Sequence, residues 1–237
     1  MDLQSLMAGV QIFLLAGIPA LLGMICHEVA HGFVAWRLGD PTAKLMGRLT
    51  LNPIKHIDPT GLGVFIFTAV ASALGGTRFI FGWAKPVPVQ SRYFSNPRLG
   101  MLFVAVAGPL TNFMLALLCA FFLRMVMGTL MMGVDPSLIQ MTLIKMLAFG
   151  IWINCVLAVF NLLPIPPLDG SHVLTAFLPN SLANMYWGLG RYSMLLVIVL
   201  IMSGVLSSIL VPSVIWFAKF FSLLVGLDPN LVFIIFM

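Results

Sequence analysis

Apolar residues run through this chain in long stretches rather than in alternation with polar ones. The first extends from about Leu6 to Trp36, with Gln11 its only polar side chain before the segment Cys26-His27-Glu28. Leu99–Met127 and Met141–Leu163 predict two further spans and Ser193–Leu210 another, since about 20 apolar residues cross the hydrocarbon core as a helix. The tail from Pro212, divided by Lys219, reads either as one more span or as an amphipathic helix lying on the membrane. Thr60–Gly76 is apolar but short, which favours a re-entrant or interfacial segment over a crossing. Phe79–Val89 holds Pro86 and Pro88, which lack donors and push their neighbours to extended conformations, so it predicts an extended piece or edge strand.

Pro and Gly interrupt these stretches, and no strand-like alternation replaces them, so a helical bundle is expected rather than a barrel. The pattern predicts an all-α polytopic membrane protein: a bundle of about 4–6 transmembrane helices with a short β-hairpin or re-entrant element near the polar segment Cys26-His27-Glu28. With no internal repeat or linker, residues 1–237 read as one domain, with a core at about 6–175 and C-terminal helices at about 192–237.

Composition strengthens the membrane reading. Hydrophobic residues make up 61% of the chain, charged residues 8%, and mean hydropathy is +1.09. Soluble domains carry about 25% charged residues. The net charge of +5 sits in loops, without a basic run interleaved with aromatics, so anionic lipid is the expected partner and nucleic acid is not. Arg37, Lys44, Arg48 and Lys55 follow the first span. By the positive-inside rule that loop is cytoplasmic and the N-terminus lies outside. The three cysteines lie in apolar runs and read as buried thiols. The first run lacks a basic region ahead of it and continues into His27-Glu28, so it is expected to be retained rather than cleaved as a signal peptide.

Chemistry enters at His27-Glu28-Val29-Ala30-His31. Residues at i and i+4 share a helix face, where two imidazoles can converge on one Zn²⁺. Glu28 beside them can take a proton from a water and pass it to a leaving amine. It is the only glutamate in the chain, and a charge within a span is a functional-site hypothesis by default. Zinc needs a third protein ligand and an open position. Counting spans returns Asp169 to the membrane face reached by the first helix, while Asp135 falls opposite. His56 and Asp58 remain alternatives, and His172 is read as a surface residue.

Three segments together resemble the site-2 protease family of intramembrane metalloproteases: His27-Glu28-Val-Ala-His31, Gly108-Pro109-Leu-Thr-Asn112 and Asn161-Leu-Leu-Pro-Ile-Pro-Pro-Leu-Asp169-Gly170. Leu51–Pro59 and Phe81–Val89 are similar to its small prokaryotic branch. The resemblance implies one Zn²⁺ per chain on His27, His31 and Asp169, with Glu28 activating water. It marks Asn112 and Asn161 as candidates for holding substrate backbone or an oxyanion. It further implies substrates that are membrane proteins with a transmembrane segment, and a multi-pass protein of a prokaryotic cell membrane whose active site lies near the cytoplasmic face. The extended Trp83–Val89 stretch would suit strand addition by an unwound substrate. Two rival classes use the same polar cluster: a non-catalytic membrane chaperone, and a metal or ion transporter. The intact base argues against the first, and the lack of repeated halves against the second. Oligomeric state is not legible.

Overall fold

The computed structural model describes residues 3–73, 84–130 and 137–235. In chain order its helices are α1 (Leu3–Arg37), α2 (Thr42–Leu45), α3 (Pro59–Ala73), α4 (Pro97–Leu130), α5 (Leu138–Asn161), α6 (Asp169–Phe177), α7 (Asn180–Gly188), α8 (Ser193–Met202), α9 (Val205–Leu224) and α10 (Leu231–Ile234). Four segments are long and apolar enough to cross a membrane: Leu15–Arg37, Pro97–Gly128, Leu138–Asn161 and Val205–Leu224. The pair Asn180–Tyr192 and Leu195–Met202, bent by 70°, would make a fifth.

α1, α4 and α5 pack on one another, and α9 packs against both α5 and α4. Lipid offers no hydrophobic drive for helices to associate, so close approach through small residues has to supply it. Ala116, Ala120, Ala148 and Ala158 are fully buried where these helices meet. A Cβ on Gly150 would stand 2.7 Å from Cys119 Sγ, and one on Gly23 would stand 2.7 Å from Asn154 Oδ1. Large apolar side chains point outward instead. Phe103, Leu110, Met114, Leu118 and Phe121 line one exposed face of α4.

The structure corrects two expectations and decides between the alternatives for the tail. Ser193–Leu210 is not one span: α8 stops at Met202, Gly204 adopts φ +77°, and α9 starts at Val205. A left-handed glycine ends a helix at little conformational cost. α9 then runs through Pro212 to Leu224, so the tail contributes a full-length helix. The short β-hairpin is not supported. Among the described residues there is no strand, only one isolated antiparallel bridge between Ile57 and Ala84. Ala84–Gln90 is extended as its prolines require, apart from that bridge. Residues 74–83, which include the last three positions of the re-entrant reading and Phe79–Trp83 of the extended one, lie outside the described residues. α3, at 15 residues, is shorter than the roughly 20 needed to cross.

Candidate metal centre

Three elements bring the site together at one end of the bundle. α1 supplies His27, Glu28 and His31 about two turns before its end at Arg37. α4 passes Gly108 and Asn112 beside them. α6 starts at Asp169, just beyond the end of α5. α6 packs on α4, and its first turn closes against the chain just past α5 because position 170 is glycine: a Cβ there would overlap the carbonyls of Leu162 and Leu163. At its far end the Arg98 guanidinium donates to Thr175 O (2.9 Å) and to Leu178 O, fastening α6 to the start of α4.

His27 and His31 are buried, with rings at 88° to each other and Nε2 atoms 2.9 Å apart. Their other nitrogens fix the tautomers. His31 Nδ1 lies 2.7 Å from the Val104 carbonyl, which can only accept, so Nδ1 carries the proton. His27 Nδ1 lies 2.7 Å from Asn112 Oδ1, while Asn112 Nδ2 donates to Gly23 O (3.1 Å) and Asn154 Oδ1 (2.9 Å). Both Nε2 lone pairs therefore face the gap between the rings. Such outer bonds are what orient ligating histidines.

Asp169 Oδ2 closes the triangle, 3.1 Å from His27 Nε2 and 3.3 Å from His31 Nε2. It is buried and takes no conventional hydrogen bond. Three electron-pair donors facing one another this closely need a cation between them. Atoms each about 2.0–2.2 Å from a tetrahedral metal lie roughly 3.3 Å apart, close to the observed spacing. The space above them is kept by Gly108, where a Cβ would fall 2.5 Å from His31 Nε2 and 2.6 Å from His27 Cε1. The donor set, the orphaned carboxylate oxygen and the glycine cradle all fit a divalent metal. Among the described residues this is the one His/Cys/Asp/Glu group so clustered.

The other sequence candidates fall elsewhere. Asp58 accepts from Thr60 and Gly61 at the start of α3, and His56 Nε2 meets Thr50 O at 2.8 Å. His172 meets the Trp187 ring at a tilt of 48°, with centroids 4.8 Å apart. Asn161 donates from Nδ2 to Leu157 O in its own helix. Asn112 is fully buried, and its amide group is occupied by His27, Gly23 and Asn154. Asn154 is the functional neighbour that sequence reasoning missed. The available signal was a buried asparagine amid the apolar run of α5. Glu28 stands beside the cluster, and its Oε2 accepts from Val87 N–H at 2.7 Å.

Asp40, between α1 and α2, is fully buried. It accepts from Thr42 N–H (2.9 Å), the Thr42 hydroxyl (2.5 Å) and Gln90 N–H (2.6 Å). Burial opposes its ionisation. The Thr42 hydroxyl, the Gln90 and Thr42 amides and Arg92 outweigh that and hold its pKa below the ordinary value. A depressed carboxylate contributes stability above its unfolded pKa of about 3.9 and loses it as pH falls through the folded one. Thermal melts of detergent-solubilised protein should therefore fall in midpoint as the pH drops through and below about 4. Asp40→Asn should remove its own share of that dependence, leaving the parts due to Asp58, which the Thr60 hydroxyl and the Gly61 amide also hold low, and to Asp169, where burial opposes ionisation but His27 and His31 outweigh it.

A bundle of membrane-length helices carrying a buried His-His-Asp triangle beside a glutamate defines a polytopic protein with a hydrolase-type metal centre. Residues 16–202 match peptidase family M50, and the chain belongs to that family, the site-2 proteases. YwhC of Bacillus subtilis, named as a proposed zinc metalloprotease, is 39% identical over 197 residues, covering 82% of this chain and 83% of that protein. Rip2 of Mycolicibacterium smegmatis, named likewise, is 32% identical over 215 residues, covering 90% of this chain and 75% of its own. No solved structure matches the chain with significance.

Proposed function

We propose that this chain is an intramembrane zinc metalloendopeptidase that hydrolyses peptide bonds in or near transmembrane segments of other membrane proteins, in regulated proteolysis. The observation that carries it is the convergence of His27 Nε2, His31 Nε2 and Asp169 Oδ2 within 2.9–3.3 Å, with Glu28 alongside. Names of the relatives support zinc, one ion for the one three-donor cluster. The whole chain acts as a single membrane-embedded domain. Its N-terminus lies outside and its site near the cytoplasmic face of the cell membrane, where Lys44, Arg48 and Lys55 follow α1.

When bound, zinc supplies a Lewis acid that polarises the scissile carbonyl and makes water nucleophilic near neutral pH. The chain's own groups do the rest. His27, His31 and Asp169 hold the metal, and Asn112 and Val104 fix the rings that present it. Glu28 accepts the proton of the attacking water on Oε1, because Oε2 is engaged by Val87 N–H, and delivers it to the leaving amine. Asn112 serves as the support of His27 rather than as an oxyanion donor. Asn161, half-buried at the end of α5, keeps a second amide N–H for substrate backbone. Extended Ala84–Gln90 suits pairing with a substrate helix that unwinds to expose its carbonyls.

The test is cleavage of a transmembrane-segment substrate by the full chain in proteoliposomes, with zinc removed by chelation and then restored. Cleavage should disappear and return, with one zinc per chain by elemental analysis. Metal flux without proteolysis would overturn the reading in favour of transport.

A further inference from the structure

Outside the metal cluster, Asp40, Arg48 and His56 are charged or titratable side chains buried to 4% exposure or less. All three sit at the fastenings of one segment, Ala84–Gln90. Gln90 N–H donates to Asp40 Oδ2 at 2.6 Å. Arg48 Nη2 donates to Lys85 O at 2.6 Å. Lys85 N–H donates to the backbone carbonyl of His56 at 2.8 Å. Burying an arginine against a carbonyl and a carboxylate against amides costs desolvation energy that apolar packing would avoid. What such polar fastenings provide is a fixed register.

Register matters here for a specific reason. Between Lys85 and Val89 the sequence is Pro86-Val87-Pro88, so Val87 carries the one N–H available. That N–H reaches Glu28 Oε2 at 2.7 Å. A slip of one residue either way would set a proline, with no donor, opposite Glu28. The Val87 side chain also docks one turn further along α1, on Gly32. A Cβ there would be 2.8 Å from Val87 Cγ1.

We infer that Val87 N–H, held in register by Arg48 and Asp40, orients the Glu28 carboxylate for proton transfer, making all three positioning residues of the reaction. One oxygen is pinned to the segment and the other is left to face the water. The inference rests on Glu28 being the base of the proposed protease.

The experiment compares Val87→Pro, which removes the N–H but suits an extended backbone, with Val87→Ala, which keeps it. Alongside turnover, the infrared carboxylate band of protein labelled with ¹³C-glutamate is followed. Because the chain has a single glutamate, that band reports Glu28 alone. Val87→Pro is expected to lower kcat roughly 10–100-fold at unchanged KM and zinc content, and to move the band. Val87→Ala should recover most of the lost rate and leave the band in place. A band and kcat unchanged in Val87→Pro overturn the inference. So does a faster variant, which would make the segment a latch. If Val87→Pro does not fold, Arg48→Met is read the same way, with a fall in kcat and a displaced band expected and neither overturning. Glu28→Gln serves as the control. If it cleaves normally, the proposed base is wrong. If it is inactive while Val87→Pro is normal, only the positioning role fails.

Discussion

Glu28→Gln is expected to lower cleavage by roughly 10²–10⁴-fold while zinc stays bound. The two side chains have nearly the same volume, and a glutamine oxygen can still accept from Val87 N–H, so neither α1 nor the segment above it needs to move. Metal retention follows from the proposed ligand set, since His27, His31 and Asp169 form the cluster that could hold a metal and Glu28 is not part of it. What is lost is proton transfer. An amide oxygen is a far weaker base than a carboxylate and cannot carry the water's proton to the leaving amine. Single-turnover cleavage and elemental analysis on the same preparation separate the two effects. Wild-type cleavage would remove Glu28 from the mechanism. Loss of zinc together with activity would instead make it a support of the metal.

The site was legible in the sequence where its logic is local. His27 and His31 share a helix face through their spacing alone, and the single glutamate between them is visible without coordinates. Asp169 needed topology as well, and was reached by counting spans and by resemblance. The long helices were legible to within a few residues: Leu99–Met127 and Met141–Leu163 were expected where Pro97–Leu130 and Leu138–Asn161 are found. The break at Gly204 was hidden because both sides of it are equally apolar. Hydropathy does not register one left-handed residue. Pro212 misled in the opposite sense, since a membrane-length helix runs through it. The roles of Asn112 and Val87 were illegible for a different reason. Asn112 meets His27 across 85 positions of sequence and Val87 meets Glu28 across 59. Nothing local in either segment names its partner. The motif at Gly108–Asn112 marked the place without saying that the asparagine holds the His27 ring and the glycine leaves room for both imidazoles.

That last distinction has a large expected consequence. Gly108→Ala should strip the metal from the protein. The added carbon would stand 2.5 Å from His31 Nε2 and 2.6 Å from Cε1 of both His27 and His31, where non-bonded atoms prefer about 3.5–4.0 Å. Neither ring can retreat in place, because each is tied through Nδ1 at 2.7 Å, His27 to Asn112 and His31 to Val104, both on α4 itself. Either the rings turn and their Nε2 atoms cease to converge, or α4 draws back from α1 and those bonds break. Zinc affinity should fall by roughly 10–100-fold or more, the scale seen when such supports are removed, and activity should fall with it. The fold should survive, since overpacking of this kind typically costs about 1–3 kcal/mol. Gly63→Ala in α3 is the matched control, because a Cβ there meets nothing within 4 Å. It should bind zinc as the parent does and melt no lower, given the better helix propensity of alanine. Zinc competition titrations and melting temperatures on the two variants give the comparison. Full zinc affinity in Gly108→Ala would mean that α4 stands further from α1 than the His27–Asn112 and His31–Val104 bonds allow, and the metal centre described above would have to be redrawn.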